Sequence, residues 1–518
     1  MKASRSYLPV LATLVLITAS HAVEQKLDPS DGAANDRFGW SVATNGDYAI
    51  IGAPQDQVNG NNNQGSAYIY YRGGGTWAQQ AKLTASDGEP GVLFGHSVAI
   101  SGDYAIVGAP QEWSGGTGAG AAYVFKRSGT TWGQQAKLVP TDSWKAYDEF
   151  GTSVSISSVV NVEYALIGAP YDDEDGEDSG SAYVFHRTTG TTWVQEAELA
   201  NTYPAAGDHF GYSVAISGLG TVAIVGAPGD RVGSNEDQGS ARVFLLSGSS
   251  WNPSGALQAS DGASSDEFGH SVAASAIGSH VIVGAPGDDD DGGSSGSAYV
   301  YYYSSGSWSQ QAKLVAPDAA AWDHFGWSVS MDGLGTHAII GAHGEDANGE
   351  GSGAIYSFAR DGSTWSSHAK RTPIDGNAGD CFGMSVSIAT RILTGAPQDN
   401  PNGTYSGSAY AYEWDDLPGL PAMELHLELI SSTSARLWWN SISGATQYHL
   451  YRSTLPYFHA GAATPWTVVL APTTQYTFTT GIGNPDINYY YLGIATGPGQ
   501  ASPESNIVGE TDFGGDLP

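Results

Sequence analysis

Phe94-Gly95-His96-Ser97-Val98, followed by Gly108-Ala109-Pro110, is the stretch that decides the fold, because the chain repeats it seven times. Phe-Gly begins at Phe38, Phe94, Phe150, Phe210, Phe268, Phe325 and Phe382, in steps of 56, 56, 60, 58, 57 and 57 residues. Gly-Ala-Pro begins at Gly52, Gly108, Gly168, Gly226, Gly284 and Gly395, with Gly-Ala-His at Gly341 as the variant. A period this regular means one small unit stacked on itself.

Within the unit that follows Phe94, Ser97-Val98-Ala99-Ile100-Ser101 alternates small or polar with apolar residues, as a half-buried strand does. Gly102-Asp103 is a turn pair, and Tyr104 to Gly108 reads as a second, more buried strand that Pro110 stops. After a polar loop, Gly120 to Phe125 is the third strand and Trp132 to Leu138 the fourth. Four short antiparallel strands per unit make a propeller blade, so the fold class is all-β with a seven-bladed β-propeller over residues 23–416. Serine stands two residues after the Phe-Gly glycine in every unit (Ser41, Ser97, Ser153, Ser213, Ser271, Ser328 and Ser385), and a glycine opens every third strand. These recurrent positions read as framework: seven equivalent serines are not seven nucleophiles, and the phenylalanine is a wedge between blades.

The fourth strand begins with tryptophan at 77, 132, 193, 251, 308 and 365, one copy short of seven. After its third strand, Ser408 to Tyr412, the last unit leaves through Leu417-Pro418-Gly419-Leu420-Pro421. The missing strand lies at the other end, where Val23 to Gly32 lines up with Gln79 to Gly88. The N-terminal strand is therefore expected to complete the seventh blade and remove a raw sheet edge.

Seventy glycines and the lack of a long helical period agree with a turn-rich β protein. The formal net charge of −33 argues against nucleic acid and anionic membrane as partners. Lys2 and Arg5, an apolar run from Tyr7 to Thr18, and Ser20-His21-Ala22 form a signal peptide over 1–22, which predicts a secreted or cell-surface protein with no membrane insertion once the leader is removed. Cys381 is the only cysteine and reads as passive.

The Phe-Gly-x-Ser-Val and Gly-Ala-Pro residues resemble the FG-GAP repeats that form the propeller of integrin α subunits. The bacterial secreted variety is closer, through the Lys82-Leu83 to Asp87-Gly88 stretch. The resemblance implies adhesion or ligand binding, and calcium loops between the Phe-Gly and Gly-Ala-Pro strands. This chain departs from that pattern, carrying only short turns there, such as Ser101-Gly102-Asp103. Its acids follow Gly-Ala-Pro instead, with Asp56, Glu112, Asp172, Asp230, Asp288, Glu345 and Asp399 at one recurrent position. Two loops are very rich, and their calcium-ligand candidates are Asp172, Asp173, Asp175, Glu177 and Asp178 in the third blade and Asp288, Asp289, Asp290 and Asp291 in the fifth. They are either oxygen cages for calcium or solvated turns in which the recurrent acid caps backbone amides. Asp36, Asp148, Asp208, Asp266, Asp323 and Asp380 read as turn acceptors.

The residue between Phe-Gly and Ser varies, which marks Trp40, His96, Tyr212, His270 and Trp327 as ligand-face candidates. Residues 417–421 form a linker, and 422–510 read as a fibronectin type III-like sandwich with Trp439 in its core and a tail over 511–518. Three functions stand open: a non-enzymatic binding or adhesion protein for an extracellular protein or glycan; an extracellular polysaccharide-acting lyase or hydrolase; and a purely structural surface protein.

Overall fold

The computed structural model describes residues 24–412, apart from 142–144, 160, 161 and 189, and the backbones of strands between 413 and 509. Seven four-stranded antiparallel sheets form the propeller, and the described residues include no helix. Six blades take consecutive strands: 41–83, 97–138, 153–199, 213–257, 271–314 and 328–371. In the second blade the strands are Ser97–Ser101, Tyr104–Ala109, Ala121–Ser128 and Thr131–Leu138. The second strand is buried throughout because neighbouring blades cover both its faces. The third runs further than its apolar stretch suggests, since Lys126 to Ser128 are held in a hairpin ladder with Thr131 to Gly133.

The seventh blade joins the two ends of the domain. Ser385–Ile388, Arg391–Ala396 and Ser408–Glu413 supply three strands, and Gln25–Leu27 the fourth. Lys26 lies opposite Tyr410 in that antiparallel pair. The latch is three residues long and begins at Gln25, two residues later than the Val23 start of the alignment.

The core lies between blades. Phe94 is fully buried, edge-on to Tyr123 and Phe125 of its own blade, in a cluster with Ile50, Ile69 and Leu83 of the blade before. Each recurrent serine donates its hydroxyl to the carbonyl of the next Phe-Gly glycine, as Ser97 does to Gly151 at 2.8 Å, and Ser385 closes the ring on Gly39 at 2.9 Å. Gly108 is glycine for a steric reason: a Cβ there would collide with the Gly151 carbonyl and the Ser97 hydroxyl. The Phe-Gly and Gly-Ala-Pro motifs are thus the joint between blades.

C-terminal to the propeller, Leu425–Ser431, Ser434–Trp439 and Gln475–Phe478 form one antiparallel sheet. Thr467–Leu470, Gln447–Ser453, Tyr490–Gly497, Gln500–Ala501 and Val508–Gly509 form a second. The fibronectin type III-like packing expected of 422–510, with Trp439 at its core, lies outside the described residues. So do the leader, the linker 417–421 and the tail.

Candidate functional site: the loop face of the propeller

Antiparallel blades place two sets of loops on one face, those after Gly-Ala-Pro and those leading into Phe-Gly. The two sets interlock across each blade boundary: Arg37 N–H donates to Tyr405 O at 3.1 Å and Phe38 N–H to Ser406 O at 3.0 Å. Carboxylates before each Phe-Gly tie down the incoming loop, as Asp36 accepts from Ala33 N–H at 2.6 Å and Asp266 from Ala263 N–H at 2.6 Å. Burial is the main reason that Asp36 and Asp266 are raised to about 6 and Asp148 to about 7.

The recurrent acid after Gly-Ala-Pro has two partners that the sequence does not reveal. It caps loop amides, as Asp288 does for Asp290 N–H at 3.2 Å and Asp172 for Glu174 N–H at 3.0 Å. In five blades it also holds a lysine of the fourth strand, which lies opposite a third-strand tyrosine. Lys82 sits 2.6 Å from both Asp56 and Asp31. Lys137 meets Glu112 and Asp87 at 3.0 and 2.7 Å, and Lys370 meets Glu345 and Asp318 at 2.6 and 2.7 Å. In the latch blade, Lys26 meets Asp399 and Asp375 at 2.6 and 2.7 Å. The ammonium also lies against its tyrosine ring, with Lys313 5.4 Å from the Tyr299 centroid.

In the fifth blade Lys313 binds three carboxylates: Asp288 at 2.9 Å, Asp261 at 3.0 Å and Asp290 at 2.5 Å. Burial works to discharge this lysine, but its carboxylate partners outweigh that and raise it, so it stays charged. Two of the four fifth-blade calcium candidates therefore already hold a cation that is part of the chain. Asp289 and Asp291 belong to no gathering of three carboxylates among the described residues.

The third blade inverts this arrangement. Opposite Tyr183 stands Glu198, where five other blades have lysine. Asp172 is buried and accepts from the Tyr183 hydroxyl at 2.6 Å. Asp172, Glu174 and Glu198 bring carboxylate oxygens within 4.8 Å of one another, the one such gathering among the described residues. Glu174 and Glu198 are absent from the sequence-level candidates. The signal was present as Glu-Ala-Glu-Leu in place of Gln-Ala-Lys-Leu, but its meaning depended on strand register. Of the other third-blade candidates, Asp173 accepts from Asp178 N–H at 2.8 Å and closes the loop. Asn400 does the same for Tyr405 in the seventh blade, so that task needs no charge. Asp175, Glu177 and Asp178 stand outside the group of three. The fourth blade differs again: Ala256 takes the lysine position and Arg242 the tyrosine position, which keeps a cation in the pair.

The family's usual calcium position does not fit this chain. Between first and second strands the turn is two residues in some blades, as at Gly102-Asp103, and five in the fourth, fifth and sixth. In the longer turns Ser217, Ser275 and Asp332 accept from the backbone amides that close the turn, and no second carboxylate stands beside them in the turn to surround an ion.

The five ligand-face candidates form parts of a collar around the ring axis. Trp40 and His96 have ring centroids 5.8 Å apart, and His96 Nδ1 donates to the Thr152 carbonyl at 3.3 Å. Tyr212 and His270 are 5.1 Å apart, His270 and Trp327 4.3 Å, and His270 Nδ1 donates to the Trp327 carbonyl at 3.2 Å. Burial depresses the imidazoles, His270 to about 4, so they are neutral at pH 7. Burial also pushes the Cys381 thiol up to about 11, which leaves it without a thiolate's reactivity.

Each blade's strands are offset from the sequence unit by one: a unit opens with the fourth strand of one blade and ends with the third strand of the next. The FG-GAP repeat family model matches in that phase, over residues 22–70, 77–125, 132–185, 193–244, 251–301, 308–358 and 365–412. Among curated proteins none matches the chain. With seven matched units covering most of its length and a propeller built on their motifs, the chain belongs to the FG-GAP repeat family.

Proposed function

We propose that this protein is a secreted or cell-surface, non-enzymatic binding or adhesion protein, with the loop face of its propeller as the ligand platform. One observation carries the reading. Trp113, Tyr147, Tyr203, Trp322, Ile374 and Tyr405, six of the nine large apolar side chains exposed among the described residues, all stand in loops of this face. Exposed apolar groups gathered on one side mark a contact surface. The collar of varied aromatic and imidazole side chains opens on the same face, while the serine that follows each collar position recurs in all seven units. Capture on glycan arrays and from intact cell surfaces tests the reading. Binding that survives truncation of these aromatics to alanine would place the ligand elsewhere.

The same face carries a divalent-cation site in the third blade, formed by Asp172, Glu174 and Glu198, and calcium is the ion its hard oxygen donors favour. Where other blades neutralise the recurrent acid with lysine, this one adds carboxylate to carboxylate. An ion there would supply the charge that lysine supplies elsewhere and would stiffen the loop that precedes the third strand. The expected result is a rise in melting temperature between chelator and excess calcium. Glu198→Lys should abolish that rise while leaving the protein folded. An equal calcium response in wild type and Glu198→Lys would remove the site from this blade.

A further inference from the structure

The repeat symmetry of the loop face breaks most sharply at the boundary between the fifth and sixth blades. His343 stands where six blades have the proline of Gly-Ala-Pro. Its ring lies 4.4 Å from Trp327 and is stacked on His324 at 5.2 Å with an interplanar angle of 12°. His324 in turn meets Trp322 edge-on at 6.2 Å. With His270 and Tyr212 of the collar these rings form one continuous ladder that starts at an exposed loop.

Trp322 is the most telling rung. Its φ is +73°, a conformation that glycine adopts freely and bulky side chains avoid. Of the equivalent positions, Gly91, Gly207 and Gly379 have φ of +80° to +82°, Asn35 and Ser265 are small, and Tyr147, at φ +71° and equally exposed, is the one other bulky residue. The indole is nevertheless 66% exposed, so burial does not repay the unfavourable backbone. Backbone strain combined with an exposed indole points to a contact made outside the chain.

We propose that this ladder is a saccharide-binding subsite, taking a neutral pyranose chain with its C–H faces on Trp322 and Trp327 and its hydroxyls on the imidazoles. The inference rests on the reading of the loop face as a ligand platform and names the ligand class at one part of it. Flat apolar ring faces alternate here with neutral imidazoles; the Trp327 carbonyl and the Tyr212 hydroxyl engage both nitrogens of His270, so hydrogen bonds to sugar hydroxyls fall to His324 and His343. His343 Nδ1 is buried and has no hydrogen-bond partner among the described residues. Burial beside His324 and His270 pushes the His343 imidazole down to about 4, so the ring is neutral throughout the physiological range. The ladder contains no lysine or arginine, and the chain carries a net charge of −33, which disfavours anionic polysaccharides.

The test is titration of the intact protein with neutral hexasaccharides of glucose, mannose, galactose and N-acetylglucosamine, followed by tryptophan fluorescence and calorimetry. Two variants restore residues that the repeat itself uses: Trp322→Gly suits the positive φ, and His343→Pro regenerates Gly-Ala-Pro. At least one hexasaccharide should bind, and each variant should weaken it about tenfold while melting no lower than wild type. No binding to any of the four, or binding unchanged in both variants, overturns the inference. Cell-surface capture with the same variants separates it from the broader reading. Capture that resists periodate and ignores both variants would leave the platform standing without the sugar. Loss of all capture by wild type would bring down both.

Discussion

The third and fifth blades carry loops that look alike, Asp172 to Asp178 and Asp288 to Asp291, yet the structure gives their charges opposite surroundings. In the fifth blade the acids converge on Lys313, and the cluster is neutralised from within. In the third, the same strand position presents Glu198, and three carboxylates face one another. The difference teaches that the richness of an acidic run says little about cation binding. What matters is the one residue that strand register places opposite the tyrosine, and in the fourth blade that logic moves the positive charge across the pair to Arg242.

The comparison can be broken most forcefully at Lys313. Lys313→Met leaves Asp288, only 3% exposed, beside Asp261 and Asp290 without their cation, and the expected loss is about 3–5 kcal/mol by denaturant unfolding. A loss of that size in the presence of calcium as well as chelator would show that the ion does not substitute for lysine there. A smaller effect is expected from the ion itself in the third blade. Calcium at about one hundred times its dissociation constant should stabilise wild type by about 2.7 kcal/mol. Glu198→Lys should gain about 1 kcal/mol in chelator and respond to calcium no further.

A third measurement compares the two blades by pH. Asp148 is raised to about 7 and Asp266 to about 6, mainly by burial, with Asp172 and Asp173 adding to the first and Asp288 and Asp289 to the second. A raised carboxyl holds a proton in the folded protein that the unfolded chain has released, so stability falls as pH rises from about 4 towards the folded value. In chelator, Asp148→Asn should therefore overtake wild type progressively up to about pH 7. For Asp266→Asn the gap should stop widening near pH 6. Equal end points for the two variants would erase the electrostatic distinction between the blades. The smallest effect belongs to Asp291→Asn, which changes a charge outside both knots and should stay within about 0.5 kcal/mol of wild type.

Much of the architecture was legible in the repeats. Trp77 and its five counterparts mark the fourth strands, and the missing seventh copy together with Val23 to Gly32 points to closure by the N-terminus. Those signals are local, since each strand announces itself by alternation and by the glycine or proline that ends it. The candidate site was legible only in part. Asp172 and the collar residues could be named from position, but Glu198 lies in a different strand and took its meaning from standing opposite Tyr183. His343 was visible as the variant of Gly-Ala-Pro, whereas its stacking on His324 and Trp327 depends on how adjoining loops fold over the face.

The amino-acid sequence alone determined the number of blades, the strand order and the way the ring closes, because backbone geometry and apolar periodicity act over a few residues and were written seven times. Only the tertiary structure decided which acids hold a lysine, which gather without one and which rings stack into a ladder. Those outcomes join side chains from separate strands and separate blades, where a separation of a few ångströms sets the energy.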